Sequence, residues 1–249
     1  NTAEASKTIT IKGKDRLENR TYTTGEAVSL GGYNWHVIGD TGTQVTLLMD
    51  FGQLSPNNSM PHCTDDNNIL TDCGVDPSGK YYAYSWDKSL IRTYLSNVLF
   101  PKLENNIGNK FVSSEICADP SVNSGETYGG YLISELEAMG KTSECTSKVS
   151  DKVRLITRAE YYNMSPYYTD TNSNYPNTKN ITRISKSSDY KSWLYNGYNE
   201  WYTMGSYTAS DTSTSGTFRS SWCVYSNGSL DTHQSAVDWQ VRPVITLVK

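Results

Sequence analysis

Hydrophobic and polar residues alternate in several short segments, and a period of two is typical of β-strands. Residues 33–38 and 44–49 alternate on either side of a Gly-Asp-Thr-Gly turn, which predicts a β-hairpin. A strand is also predicted at Thr8–Ile11, and Val153–Ile156 is apolar enough for a buried strand. The chain ends on the largely apolar residues 241–248, which favour a central place in a sheet. These segments together predict an antiparallel sheet that frames the two ends of the chain.

Helical periodicity appears in the middle of the chain. Apolar residues recur at helical spacing after Ser85, a predicted N-cap, and Pro101 is expected to end that helix. Residues 130–139 predict a second short helix, which stops at Gly140. A capping box at Thr157–Glu160 predicts a third helix immediately behind the buried strand. Strands and helices together predict an α+β fold.

The C-terminal half of the chain differs from the rest in amino-acid composition. Residues 161–231 hold eleven of the nineteen tyrosines, interleaved with Asn, Ser and Thr. Disordered segments are poor in aromatic residues, so this region is predicted to form long ordered loops and short strands. We expect residues 1–24 to form an N-terminal strand and arm, and residues 25–249 to form the main domain.

Charge and hydrophobicity exclude two kinds of partner. Only 19% of the residues are charged, the net charge is −4, and Lys and Arg form no continuous basic run. A protein that binds nucleic-acid phosphates is therefore disfavoured. No stretch of about 18 apolar residues occurs, so no membrane span is expected in this chain.

The five cysteines favour an oxidising compartment. Cys63 and Cys73 flank one polar loop, Cys117 and Cys145 flank another segment, and we predict a disulfide within each pair of neighbours. The alternative is a cytosolic protein with five reduced thiols. Cys223 is left over, in a strand-like segment where a small buried side chain is expected rather than a nucleophile. If the two pairs form disulfides, the chain is expected to be extracellular, because such bonds persist in oxidising compartments.

Motifs for catalysis or for a metal are mostly missing. The sequence has no zinc-protease, nucleophile-elbow, dinucleotide-binding or phosphate-loop motif. His36 lies in a predicted strand and is expected to be structural. Asp170–Asn174 begins like a calcium loop, but Tyr175 and Ile181 stand where that loop requires Gly and Glu. Asp65–Asn68 is interpreted as a solvated loop, and calcium ligation by its oxygen atoms is the alternative. No cofactor is expected, and the metal content is left open.

Three blocks of sequence carry a resemblance to a bacterial family. They comprise Gly32–Ile38 with Val45–Leu48, Tyr84–Leu95 with Val153–Thr157, and Trp201–Met204 with Trp222–Leu230 and Val241–Ile245. In order and spacing the chain resembles the uncharacterised C-type-lectin-like domain of secreted and pilin-like surface proteins of Gram-positive bacteria. Related lectin-like domains are the variable ligand-binding proteins of diversity-generating retroelements.

The resemblance implies a C-type-lectin-like fold. In such a fold the N- and C-terminal strands pair, two main helices flank the sheet, and long ordered loops present a ligand face. It also implies sequence variability near the C-terminus, shortly before the final strand. The family has no known reaction. Calcium-dependent animal lectins carry Glu-Pro-Asn or Gln-Pro-Asp beside Trp-Asn-Asp, which Val237–Gln240 does not match. The related formylglycine-generating enzymes use a reactive cysteine pair, which a lone Cys223 does not supply.

Side-chain chemistry in the C-terminal region also suits binding. Tyr offers a large amphipathic contact area at low entropic cost, and Ser, Asn and Gly offer adaptable hydrogen bonds. The alternative is that these residues fill loops and pack on the sheet. Five tryptophans are expected to be core or loop anchors: Trp86, Trp193, Trp201, Trp222 and Trp239. The predicted ligand-binding residues are Tyr207, Ser210, Asp211, Tyr225, Asn227, Asp231, His233, Gln234, Ser235, Asp238 and Gln240.

The sequence thus predicts a non-catalytic, adhesin-like recognition domain at the bacterial cell surface. Its expected partner is a host or bacterial glycan or protein, and other pilus-like subunits are a further expected partner. The alternative function is a structural pilin or surface-assembly subunit without a dedicated ligand site. A third, more remote reading is an enzyme related to the formylglycine-generating type.

Overall fold

The computed structural model describes residues 16–54, 58–61, 85–119, 128–165, 193–195, 197, 199–208, 219–234 and 239–249. Of residues 206–208, 219–220 and 232–234 it describes the backbone alone. The described strands are β1 Ala27–Leu30, β2 Tyr33–Asp40, β3 Gln44–Met49, β4 Ser59–Met60, β5 Ser114–Cys117, β6 Lys148–Asp151, β7 Val153–Arg154, β8 Trp201–Thr208, β9 Arg219–Val224, β10 Leu230–Gln234, β11 Trp239–Gln240 and β12 Val244–Val248. The described α-helices are α1 Leu90–Tyr94, α2 Phe100–Ile107, α3 Ile133–Met139 and α4 Arg158–Met164.

One five-stranded sheet joins the predicted hairpin to the end of the chain. Its strand order is β1-β2-β3-β12-β7, and each neighbouring pair is antiparallel. The predicted hairpin is confirmed, and the last strand has the central place that its apolar sequence predicts. The predicted strand Thr8–Ile11 lies outside the described residues. With its sheets and helices the molecule is α+β, as predicted.

The first helical region differs from the prediction at both ends. Ser85 precedes a single 3-10 turn, and the α-helix begins only after Ser89, whose side chain accepts a hydrogen bond from the Arg92 amide at 3.4 Å. The helix also continues past Pro101 to Ile107. The prediction that Pro101 ends the helix is therefore wrong.

A π-helical turn at Leu95–Leu99 explains why proline is tolerated there. The Phe100 amide donates to the carbonyl of Leu95, five residues back, and Pro101 then occupies the first turn of α2. A residue in the first turn of a helix needs no amide hydrogen for the helix itself. The wide turn therefore lets a second helix begin without a break in the chain direction.

The other two predicted helices are present, although the one predicted at residues 130–139 begins only at Ile133. α3 ends at Gly140, whose φ of +66° places it in the left-handed region that favours glycine. α4 begins with the predicted capping box, in which Thr157 accepts from the Glu160 amide and the Glu160 carboxylate accepts from the Thr157 amide. None of the helices that the structure describes combines the length and hydrophobicity needed to cross a bilayer.

A disulfide and a buried ion pair stabilise the region around α3 and α4. The predicted bond between Cys117 and Cys145 is present, with 5.7 Å between the two Cα atoms. Cys63 and Cys73 lie outside the described residues. Arg154 donates twice to the Glu160 carboxylate, at 2.7 and 2.6 Å, and both side chains are buried. Removing one partner of such a pair typically costs about 3–5 kcal/mol, because the other charge is left buried.

Part of the predicted N-terminal arm packs on the same sheet. Tyr22 is buried, and its amide donates to Oδ2 of Asp40 at 2.7 Å. Lys249, the last residue, donates to the same oxygen at 2.8 Å. Asp40 therefore ties the arm to the C-terminus of the chain.

A second five-stranded sheet carries most of the predicted ligand-binding segment. Its order is β10-β9-β8-β11-β4, with β8 and β11 parallel and the other neighbours antiparallel. Arg242, which directly follows β11 and Val241, is fully buried. Its guanidinium donates to the carbonyls of Met49, Trp193 and Leu194 and lies 4.7 Å from the Trp201 ring centroid. This residue therefore links the two sheets.

Candidate functional site

The hairpin between β9 and β10 is held firmly at its tip. Gly228 has a φ of +88°, and a Cβ atom at this position would lie 2.5 Å from a ring carbon of Tyr195. The Tyr161 hydroxyl donates to the Gly228 carbonyl at 2.8 Å. The Asn227 side chain accepts from the amide and the hydroxyl of Ser229, at 2.9 and 2.8 Å. The turn is therefore fixed both locally and by two tyrosines of the core.

Both faces of the second sheet are covered by hydrophobic residues. Tyr202 in β8 and Cys223 in β9 are cross-strand partners and belong to the larger core, whereas Trp201 and Val224 belong to a second hydrophobic cluster. Successive side chains of a strand point to opposite faces, so each cluster covers one face. Tyr225, two residues after Cys223, packs at the margin of the larger core and remains partly exposed.

An aromatic stack leads from this core to the surface. Tyr202 and Trp239 are stacked, with ring centroids 5.5 Å apart and an interplanar angle of 27°. Tyr225 then meets Trp239 edge to face, again at 5.5 Å, with an angle of 78°. Tyr202 is fully buried and Trp239 nearly so. The outermost ring, Tyr225, is therefore held in a fixed position by two buried rings beneath it.

The carboxylates of two residues, Asp231 and Glu200, change the pKa of the partly exposed Tyr225. Burial raises the pKa of the Tyr225 hydroxyl, and the negative charges of Asp231 and Glu200 raise it further. Asp231 is exposed and opposes Cys223 in the sheet. Glu200 is half-buried directly before β8. We call Tyr225, Trp239, Asp231 and Glu200 the Tyr225 patch, and its acidic character disfavours an anionic ligand.

Cys223 lies beneath the patch in an environment that does not activate a thiol. It is fully buried and not disulfide-bonded, and its Sγ donates to the carbonyl of Asp231 at 3.2 Å. Burial raises the pKa of the thiol strongly, and the charges of Asp231 and Glu200 raise it further. A nucleophilic cysteine needs the opposite environment, one that lowers the thiol pKa.

Gln240, another predicted ligand residue, lies apart from the Tyr225 patch. It follows Trp239 in β11, so its side chain leaves the opposite side of the strand. Its amide donates to the Glu200 carbonyl at 3.1 Å, and its side chain is half-buried. Within the part of the chain that the structure describes, the buried Oε1 of Gln240 has no hydrogen-bond donor.

The remaining predicted residues are distributed as follows. Asn227 is exposed at the hairpin tip, where its side chain forms the turn. Tyr207 lies in β8, and His233 and Gln234 lie in β10, with their backbones alone described. The others fall outside the described residues: Ser210, Asp211, Ser235 and Asp238. The same holds for Asp65–Asn68, the loop for which calcium ligation is the alternative interpretation.

Sequence reasoning did not anticipate two members of the patch. Trp239 was expected to be a core or loop anchor, and its burial confirms this, yet it also supports the exposed tyrosine. Glu200 is distant in sequence from Tyr225, so no local pattern indicates that the two are neighbours. Trp86, Trp193 and Trp201 are buried as predicted, and Trp222 is partly buried. His36 has the expected structural role, stacked on Trp193 with ring centroids 4.9 Å apart.

Comparison with known proteins adds no relative. No family model matches the chain, and the curated proteins and the solved structures give no match either.

Proposed function

We propose that this chain is a non-catalytic recognition domain that binds a neutral glycan at the Tyr225 patch. The observation that carries the proposal is the edge-to-face pair of Tyr225 and Trp239, which presents a partly exposed ring on a rigid base. Sugar C–H groups stack on aromatic faces, and the carboxylates of Asp231 and Glu200 can accept hydrogen bonds from sugar hydroxyls. Their negative charge favours neutral over anionic glycans.

The proposal also covers the cellular location and the fold family of the domain. A disulfide between Cys117 and Cys145 supports an extracellular location, because such bonds persist outside the reducing cytosol. The inactive surroundings of Cys223 support a binding role rather than thiol catalysis. The pairing of β3 with β12 and the rigid C-terminal hairpin are compatible with a C-type-lectin-like fold. We place the domain at the bacterial surface as an adhesin-like module, with sequence variability on β10.

A glycan panel tests this function. The purified chain is titrated against paired neutral and sialylated glycans, with calcium and with EDTA. We expect saturable binding of a neutral glycan and weaker binding of its sialylated partner. Loss of binding in EDTA would add calcium to the proposal without changing the patch. Tighter binding of the sialylated partner would contradict the proposal.

The same purified protein also tests the alternative function, a structural subunit of a surface assembly. Light scattering over a range of protein concentrations reports self-association. A folded monomer that binds a glycan supports recognition. Concentration-dependent assembly, combined with a blank glycan panel, would replace recognition by a surface-assembly role.

A further inference from the structure

A cleft of about 730 Å³ lies between the first sheet, β5 and α3. None of its described lining residues belongs to the Tyr225 patch. Its size falls within the range of small-molecule sites. The cleft is therefore a second place where the chain can receive a ligand.

Regular secondary structure forms the walls of this cleft. Thr46 of β3 and Thr246 of β12 are cross-strand partners, and their hydroxyl oxygens lie 3.1 Å apart. β5 forms the facing wall, and β6 and the disulfide at Cys117 hold it in place. Polar groups on strands and helices keep their positions better than groups on loops. The binding geometry is therefore largely preformed.

The buried ion pair reaches the lining of the cleft. Arg154 has five N–H donors, and four of them have acceptors: Ser114, Leu155 and both carboxylate oxygens of Glu160. The second hydrogen of Nη2 has no acceptor among the described residues. Arg154 and Glu160 both line the cleft although each is almost completely buried. A ligand oxygen can satisfy this remaining donor.

The charge of the lining selects the kind of ligand. Glu115 of β5 and Glu137 of α3 are exposed carboxylates in the lining of the cleft. Arg154 is the sole cation among the described lining residues, and Glu160 neutralises it. The lining is thus negative, which attracts a cation and repels an anion.

Hydroxyl groups dominate the rest of the polar lining. Six of the lining residues that the structure describes are Ser or Thr, and each hydroxyl can both donate and accept. This combination suits a ligand that carries several hydroxyls together with an ammonium group. We propose that the cleft binds a small hydroxylated amine of the amino-sugar class, with its ammonium group between Glu115 and Glu137.

Three sugars of equal size and different charge test the proposal. Glucosamine, glucose and glucuronate are titrated into the intact chain at low ionic strength by calorimetry. We expect affinity to fall in that order, with glucosamine binding at least tenfold more tightly than glucuronate. The double variant Glu115→Gln/Glu137→Gln is expected to lower the affinity for glucosamine about three- to tenfold. Equal affinities, or no saturable binding of glucosamine, would overturn the proposal.

A blocking variant locates the binding. Ala138 lies on the exposed surface of α3 and lines the cleft, so Ala138→Trp places a bulky ring at the proposed site. Ser29→Trp, on the exposed face of β1, is the matched control. We expect Ala138→Trp to abolish glucosamine binding and Ser29→Trp to retain it, with both proteins folded by circular dichroism. Retained binding in folded Ala138→Trp would overturn the assignment, whatever the glycan panel shows for the Tyr225 patch.

Discussion

The Thr157 hydroxyl donates a hydrogen bond to a carboxyl oxygen of Glu135 at 2.5 Å, between the first turns of α4 and α3. Glu135 is fully buried, and its other oxygen accepts from the Leu132 amide at 2.8 Å. Burial and the neighbouring charge of Glu160 raise the pKa of Glu135 from 4.5 to about 8. A protonated carboxyl group is thus stabilised inside the fold.

The raised pKa predicts a pH-dependent stability. Between pH 4.5 and about 8 the folded chain holds a proton on Glu135 that the unfolded chain releases. The free energy of unfolding should therefore decrease as the pH rises through this window. Glu135→Gln mimics the neutral acid and should flatten that dependence in urea denaturation, whereas Glu137→Gln, exposed on the same helix, should not. An unchanged slope in Glu135→Gln would contradict this role.

Gly228 should be far more sensitive to substitution than another glycine of similar backbone conformation. Gly228→Ala combines a positive φ with a Cβ placed 2.5 Å from the Tyr195 ring. We expect a loss of about 2–4 kcal/mol in unfolding free energy. Gly42 has a φ of +89° and open space around it, so Gly42→Ala should cost about 1 kcal/mol. Equal losses in chemical denaturation would show that the Tyr195 contact is unimportant.

Arg242 is predicted to be a structural requirement that lysine cannot meet. Its planar guanidinium reaches three carbonyls in different directions and stacks on Phe51, 3.9 Å from the ring centroid. Burial lowers its pKa to about 9, so it stays charged at neutral pH. Arg242→Lys should lower the unfolding free energy by about 2–4 kcal/mol, because Lys lacks the forked donors. The control Arg20→Lys, near the surface, should change it by less than about 1 kcal/mol.

The disulfide between Cys117 and Cys145 should contribute measurably to stability. The bond closes a segment with a sequence separation of 28 residues. Cys117→Ser/Cys145→Ser should lower the unfolding free energy by about 2–4 kcal/mol. Addition of a reductant should affect the unmodified chain similarly. No difference between oxidised and reduced protein in thermal denaturation would refute the expectation.

Local rules predicted much of the fold because the signals involve neighbouring residues. The capping box at Thr157 and the stop at Gly140 depend on a few adjacent positions, and both appear as expected. The helix across Pro101 was missed because a π-turn, which is rare, removes the usual conflict between proline and the preceding turn. Ser85 precedes the 3-10 turn, whereas the N-cap of α1 is Ser89, and the sequence offers the same residue type at both positions.

The candidate site was harder to predict because it depends on contacts distant in sequence. Tyr225 and Asp231 share one hairpin, so their proximity follows from the local pattern. Glu200 and Trp239 reach the same place only through the pairing of β8 with β9 and β11. The buried Glu135 was equally hidden, since its surroundings come from α4 as well as from its own helix.

The most direct test of the central claim is the affinity of Tyr225→Ala for the neutral glycan that binds best on the panel. Tyr94→Ala is the matched control, because Tyr94 is also partly exposed and packs against the same core. Loss of a stacking aromatic in the patch should weaken binding at least tenfold, while Tyr94→Ala should bind as the unmodified chain does. Equal affinities of the two folded variants would contradict recognition at the Tyr225 patch.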